Sequence, residues 1–259
     1  MLVITTARKP SRAIEIMAQD LGRRYNIPYI VRGNQRLDSM IEEHLTVLVL
    51  SRERLSCHTR AGEFFLHPNM AAVRIKLLRQ GKEDAMLRVM GIQPGDSVLD
   101  CTAGLCADSL VAKFGVGAGG KVVALEKSLP VYIAVKYGLE QYTGPERFRD
   151  LAAGIELIHA DYRDYLAALP GRSFDIVYFD PMFDNPVMEA AALLPLRPLA
   201  WHQPLTRADI ALAARVARRR VVVKQRSFFD FSQLGLKPAS GQNRRVGYGV
   251  MDVEEDDHG

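Results

Sequence analysis

Residues 96–108 read DSVLDCTAGLCAD: an apolar run that stops at Asp100, a turn around Gly104, and the start of a helix at about Ala107. The same rhythm repeats outward from this stretch. KVVALE (121–126) leads to a helix opened by Ser128 and Pro130, IELIHAD (155–161) to a helix at 162–169, and FDIVYFD (174–180) to a long irregular loop. A helix from Thr206 to Arg218 follows, its Thr206 and Asp209 forming a relative of the capping box, and then RVVVKQ (220–225). The strands are near-continuous Val/Ile/Leu runs without alternation, as strands buried on both faces are. The alternation predicts an α/β fold with a doubly wound, mostly parallel sheet. LGLKPAS and VGYGVMDV, separated by SGQN, add an antiparallel hairpin at one edge.

The 259 residues are 48% hydrophobic and 25% charged, which excludes disordered, collagen-like and disulfide-stapled classes and allows one large core with a small appendage. Upstream of residue 96 the pattern shortens. A strand at Leu2–Thr5, a helix near Ser11–Tyr25, IPYIVR, a second helical stretch, TVLVLS, RLSCHT and EFFLHP read as a small α/β subdomain over 1–67. Ala72, Ile75, Leu78, Met86 and Val89 at helical spacing, closed by Gly91 as a C-cap, make 68–95 a helical connector. The doubly wound domain is then 96–252, and 253–259 an acidic tail. Three cysteines, Cys57, Cys101 and Cys106, form neither a disulfide framework nor a zinc pair, so no metal is expected and a reducing cytoplasm is. No export signal or membrane span is expected, because no apolar run approaches 18 residues. Residues 1–90 carry 15 Lys/Arg against 9 Asp/Glu, and 25 of the 34 basic residues are arginine. Such a front suits a polyanion partner or, equally, a plain solvated face.

In doubly wound sheets ligands sit beyond the carboxyl ends of the strands. Acids close four strands here: Asp100, Glu126, Asp161 and Asp180. Any one of them reads as a helix cap; four on one rim require a cationic or donor-rich ligand. A dinucleotide wants G-x-G-x-x-G, whereas this turn holds Gly104 with Cys at 106 and Ser at 109, and Asp108 would face the phosphates. S-adenosylmethionine has no phosphate and carries a sulfonium and an ammonium. Glu126, 22 residues past Gly104, suits its ribose hydroxyls, and Asp161 or the adjacent backbone its adenine amine.

Asp180-Pro181-Met182-Phe183 has two readings. Asp-Pro starts turns well. It also supplies a carboxylate, a carbonyl fixed by proline and a stacking ring, which methyl transfer to an exocyclic base amine needs, because the amine lone pair is delocalised into the ring and must be drawn toward tetrahedral geometry. After three acid-ended strands the second reading is favoured, with Asp180, Pro181 and Phe183 as the catalytic set.

D-x-T-A-G-L at 100–105, D-P-M-F at 180–183 and RVVVK at 220–224 together resemble a class I S-adenosylmethionine-dependent methyltransferase, with a Rossmann-like sheet. More narrowly the chain is similar to the family of the 16S (small-subunit) ribosomal RNA guanine-N2 methyltransferase J, in a divergent, Gram-positive-like branch, over roughly residues 66–252. The resemblance implies a cofactor site from Asp100, Thr102, Ala103 and Gly104 of the turn, the pairs Ala107–Asp108, Glu126–Lys127 and Asp161–Tyr162, and Asp180. The family's G-L-G is G-L-C here, ending in Cys106; its Arg-Asp is Ala107–Asp108; its Lys-Arg-Pro is Lys224-Gln225-Arg226. The implied partner is ribosomal RNA or the small ribosomal subunit, with no membrane and an open oligomeric state.

Candidates for substrate contact are Met182, Arg197, Trp201, Lys224 and Arg226. The proline-rich stretch 184–205 is long enough to be a lid over the base, and Trp201 reads as an RNA contact or as the packing anchor of that loop. Lys224 either meets a phosphate or snorkels at the sheet end. Arg218–Arg220 read as cations at a helix C-terminus, His67, His159 and His202 as structural, and Cys101 and Cys106 as packing thiols, since direct transfer from sulfonium to amine needs no covalent intermediate. A methyltransferase acting on a small-molecule or protein amine, and a binding module without catalysis, are the alternatives.

Overall fold

A computed structural model describes residues 1–67, 69–142, 145–181, 199, 203–239 and 246–253, with residues 69, 70 and 147 described by their backbone alone. The chain divides into two compact units, residues 1–67 with 128–143 and 185–201 in one, and 68–127 with 144–184 and 202–259 in the other.

The first unit carries a four-stranded sheet, β1 (Leu2–Thr6), β2 (Thr46–Leu50), β3 (Leu55–Thr59) and β4 (Gly62–Phe64), in that order. β1 and β2 are parallel, and the remaining pairs antiparallel. Every residue of β2 (TVLVL) is buried, which explains its lack of alternation. Helix α1 (Arg12–Tyr25) packs on β1 and α2 (Leu37–His44) on β2. Ser11 caps α1 by accepting from the Ile14 N–H at 3.4 Å, and Asn26 ends it in the left-handed region, φ 54°.

The second unit opens with α3 (Asn69–Arg79) and α4 (Ala85–Met90). Asp84 caps α4 through the Met86 and Leu87 N–H groups, and Gly91 closes it at φ 61°, as its place after the apolar positions predicts. Then come β5 (Ser97–Asp100), α5 (Ala107–Val116) and β6 (Lys121–Glu126). The next helix, α6 (Leu129–Glu140), belongs to the first unit, where it packs on β2 and β3. The second unit resumes with α7 (Glu146–Ala153), β7 (Ile155–His159), α8 (Tyr162–Ala168), β8 (Phe174–Phe179), α9 (Arg207–Val216), β9 (Ala217–Arg226), β10 (Lys237–Pro238) and β11 (Val246–Asp252).

Its sheet runs β10-β11-β9-β8-β5-β6-β7, parallel from β9 to β7, with β11 antiparallel to β9 and β10 to β11. This is the α/β, doubly wound, mostly parallel sheet with an antiparallel hairpin at one edge. β5 pairs with β6 on one side and β8 on the other, so the strand order reverses at β5, where such sheets open a crevice. Leu99, Val123, Val177, Val221 and Val223, each fully buried, share one apolar core with Phe179, Ile210 and Phe231.

One expectation is corrected. α9 ends at Val216 and β9 begins at Ala217, which caps α9 in extended geometry, φ −73°, ψ 141°. Arg218, Arg219 and Arg220 therefore lie in a strand, and they bond to Asp175, Asp96 and Asp252 rather than offset a helix dipole.

Candidate active site

The turn after β5 is held from three sides. Asp100 is 2% exposed; its Oδ2 accepts from the Ser109 hydroxyl at 2.5 Å and its Oδ1 from the Thr102 N–H at 3.1 Å. Burial pushes its carboxyl up to about 7 against the pull of these donors. The Thr102 hydroxyl accepts the Asp180 N–H at 2.6 Å, which joins the turn to the end of β8. The Ala103 N–H reaches the Leu125 carbonyl at 2.9 Å, and the Gly104 N–H a carboxylate oxygen of Glu126 at 3.0 Å. Gly104 has φ +50°, and a Cβ there would meet no atom within 4 Å, so the space over the turn is open. Cys106 takes φ 58° as the N-cap of α5, a conformation glycine adopts more easily, and its thiol is fully buried. Burial pushes the Cys101 and Cys106 thiols up, so neither is a thiolate nucleophile.

Farther along the rim, Lys127 bonds to Asp161, which also caps α8 by accepting the Arg163 N–H at 2.9 Å. These contacts hold the Asp161 carboxyl below its usual range despite partial burial. Tyr162 goes inward: its ring stands edge-on to Phe179, centroids 5.3 Å apart, within the core, and its hydroxyl has no hydrogen-bond partner among the described residues. Only its backbone remains for the rim. Ala107, half-buried, opens α5.

Around Asp180 the structure brings together residues that lie far apart in sequence. Lys224 Nζ donates to Asp180 Oδ2 at 2.7 Å and to Asp108 Oδ2 at 2.9 Å. Asp108 also accepts the Tyr178 hydroxyl at 2.7 Å and a guanidinium N–H of Arg74, whose other N–H groups reach Asp84 at 2.7 and 2.8 Å. Lys224 and Arg74 hold the Asp108 carboxyl far below its usual range despite burial. Asp180 differs: burial, with Asp108 beside it, pushes its carboxyl up to about 6 against the pull of Lys224. Its side chain is 29% exposed, so it is the member of this cluster with the most access to a ligand. Lys224 thus turns inward onto two carboxylates instead of snorkelling at the sheet end.

Arg74 and Tyr178 escaped the sequence reading. Arg74 sits among the apolar positions of a helical connector, and Tyr178 is one polar tip inside FDIVYF; both are faint signals of a buried ion network. Pro181 follows Asp180 half-buried. Arg226, at the end of β9, lays its guanidinium 5.6 Å from the ring centroid of Phe228, which is 78% exposed. Met182, Phe183, Arg197 and Trp201 lie outside the described residues. Among the described residues no group of three His, Cys, Asp or Glu could hold a metal ion, and no helix is long and apolar enough to cross a membrane.

Residues 35–240 match the family described as "Putative SAM-dependent methyltransferase". The uncharacterised protein YpiP of Bacillus subtilis (strain 168) is 36% identical over 253 residues, 96% of this chain and 98% of that one. The ribosomal RNA small subunit methyltransferase J of Coxiella burnetii (strain Dugway 5J108-111) is 32% identical over 163 residues, and that of Laribacter hongkongensis (strain HLHK9) 32% over 167. The chain spans about three fifths of the length of these two relatives. In fold, it is similar to the crystal structure of a SAM-dependent methyltransferase from Neisseria gonorrhoeae, TM-score 0.69 at 20% identity, covering 99% of this chain and 98% of that one. With its Rossmann-like sheet and a family match across most of its length, the chain belongs to the S-adenosylmethionine-dependent methyltransferases.

Proposed function

We propose that the protein transfers a methyl group from S-adenosylmethionine to the exocyclic N2 amine of a guanine in small-subunit ribosomal RNA. One observation carries the reading: a part-exposed carboxylate, Asp180, is tied to the glycine turn through the Thr102 hydroxyl and is followed by Pro181. The partial matches to the ribosomal RNA methyltransferases J support the substrate class.

The residues fit the cofactor. Open space over Gly104 leaves room for its methionine part, Glu126 offers a carboxylate to the ribose hydroxyls, and Asp161 offers an acceptor to the adenine amine, with the Tyr162 N–H at the start of α8 able to donate to a ring nitrogen. Asp100 and Asp108, with their oxygens bonded to Ser109, Thr102, Tyr178, Lys224 and Arg74, shape the site from behind. When bound, S-adenosylmethionine supplies an electrophilic methyl on its sulfonium. Asp180 and the Pro181 carbonyl accept the two N–H bonds of the substrate amine, localising a lone pair otherwise spread into the ring. Phe183 is the stacking platform, and Met182, Arg197, Trp201 and Arg226 are the substrate contacts. The guanine must be flipped or unpaired, since its edge is closed off within a helix.

The test is Asp180→Ala, assayed by nucleoside mass spectrometry of ribosomal RNA from cells that lack the protein and regain either form. The wild type restores N2-methylguanosine, and the variant loses transfer by at least about 100-fold while keeping its unfolding temperature. N2-methylguanosine that is indifferent to loss of the protein overturns the reading.

A further inference from the structure

Four charged side chains from separate elements meet behind Asp180, the proposed amine acceptor that follows β8: Lys224 of β9, Asp108 of α5, Arg74 of α3 and Asp84 at the cap of α4. Lys224 is the joint of this chain. Its ammonium bonds to one oxygen of Asp180 and one of Asp108, so two carboxylates that would repel each other share one cation. Its side chain is 20% exposed, and the two carboxylates raise its own proton affinity despite burial.

We propose that Lys224 is a positioning residue of the transferase, its ammonium keeping Asp180 ionised and pinning Oδ2, so that Oδ1 is presented to the substrate amine. This rests on the reading of Asp180 as the amine acceptor. A protonated Asp180 carries a donor where an acceptor is needed, and a carboxylate free to rotate accepts from the amine in many geometries, few of them in line for transfer.

The groups facing Asp180 are Lys224 from β9, Asp108 from α5, Asp100 from β5, Tyr178 from β8 and Tyr248 from β11, with Arg74 of α3 acting through Asp108. Burial pushes both tyrosines up, Tyr248 to about 12, so both stay neutral near pH 6. The balance at Asp180 is therefore Lys224 against burial and the carboxylates.

The experiment is a carbon-13 NMR titration of the Asp180 carboxyl in the full chain without cofactor, its resonance assigned by its loss in Asp180→Asn. In the wild type the midpoint lies near 6. Lys224→Met raises it by about 1–3 pH units, Lys224→Arg leaves it near the wild-type value, and Asp108→Asn lowers it, because a neighbouring negative charge is gone. The acid limb of kcat/KM on the RNA substrate moves in the same order. A merely structural role would shift Lys224→Met and Asp108→Asn alike. A midpoint unmoved in Lys224→Met, or moved in the same direction by both, overturns the proposal. If the midpoints move as stated while Asp180→Ala still transfers methyl, it is the reading of Asp180 that falls.

Discussion

Asp100 and Asp180 close neighbouring strands, and burial pushes both carboxyls up, yet their partners set them to different work. Asp100 faces a hydroxyl and a backbone N–H and, among the described residues, has no cation beside it. An aspartate in the unfolded chain titrates near about 4, and Asp100 in the folded chain near about 7. Between these values the folded state keeps a proton that the unfolded state has released, so this group makes stability fall as pH rises across the window. Asp100→Asn can accept the Thr102 N–H and donate to the Ser109 hydroxyl, and it removes the titration. Its unfolding temperature relative to wild type should therefore climb from pH 4 to about 7 and level off above; a constant difference over that range would mean Asp100 is ionised throughout. The strand-end acids were legible because a carboxylate after an apolar run stands out. What each would bond to was not, because Ser109, Tyr178, Lys224 and Arg74 reach their partners only through the packing of separate elements.

At the level of elements, the near-continuous apolar runs announced the buried parallel strands, and the order of strands and helices announced the sheet. The border between α9 and β9 was hidden because ARVARRRVVV contains no glycine or proline to mark it; the strand shows itself only in its ladder, where Ala217 pairs with Phe174 of β8 and Arg220 with Ile176 of β8 and Asp252 of β11. The edge hairpin rests on a tight fit at Gly249, which pairs with Val223 in β9 and whose added Cβ would stand 2.2 Å from the Phe231 ring. Phe231 is buried and cannot retreat without opening the core. Gly249→Ala should cost about 1–3 kcal/mol, seen as a lower urea midpoint with an unchanged slope, and adding Phe231→Leu should recover part of that loss. An unchanged midpoint would mean that the ring has room to shift.

For the molecule as a whole, charge is divided by task. Arg74 is committed to the ion network behind Asp180, and Arg23, Arg36 and Arg54 to local pairs with Asp20, Asp38 and Glu63. Arg8, Lys9 and Arg12, at the entrance to α1, are exposed and have no ion pair among the described residues. They are the first contacts we propose for the ribosomal RNA of the proposed function. Replacing all three by Glu should weaken RNA binding and flatten the dependence of log affinity on log salt by up to about 3, with S-adenosylmethionine binding by calorimetry unchanged. An unaltered salt slope would move the RNA-binding surface elsewhere. The passage of α6 into the first unit has a further result, in time rather than in space. β3 ends at Thr59, but the helix that covers it and β2 ends only at Glu140, about 80 residues later. At about 5–20 residues per second of synthesis that is roughly 4–16 s, during which TVLVL, paired with β1 and β3 and packed on α2, still lacks its contacts with α6. The four-stranded sheet is thus left unfinished until about 80 further residues have been synthesised.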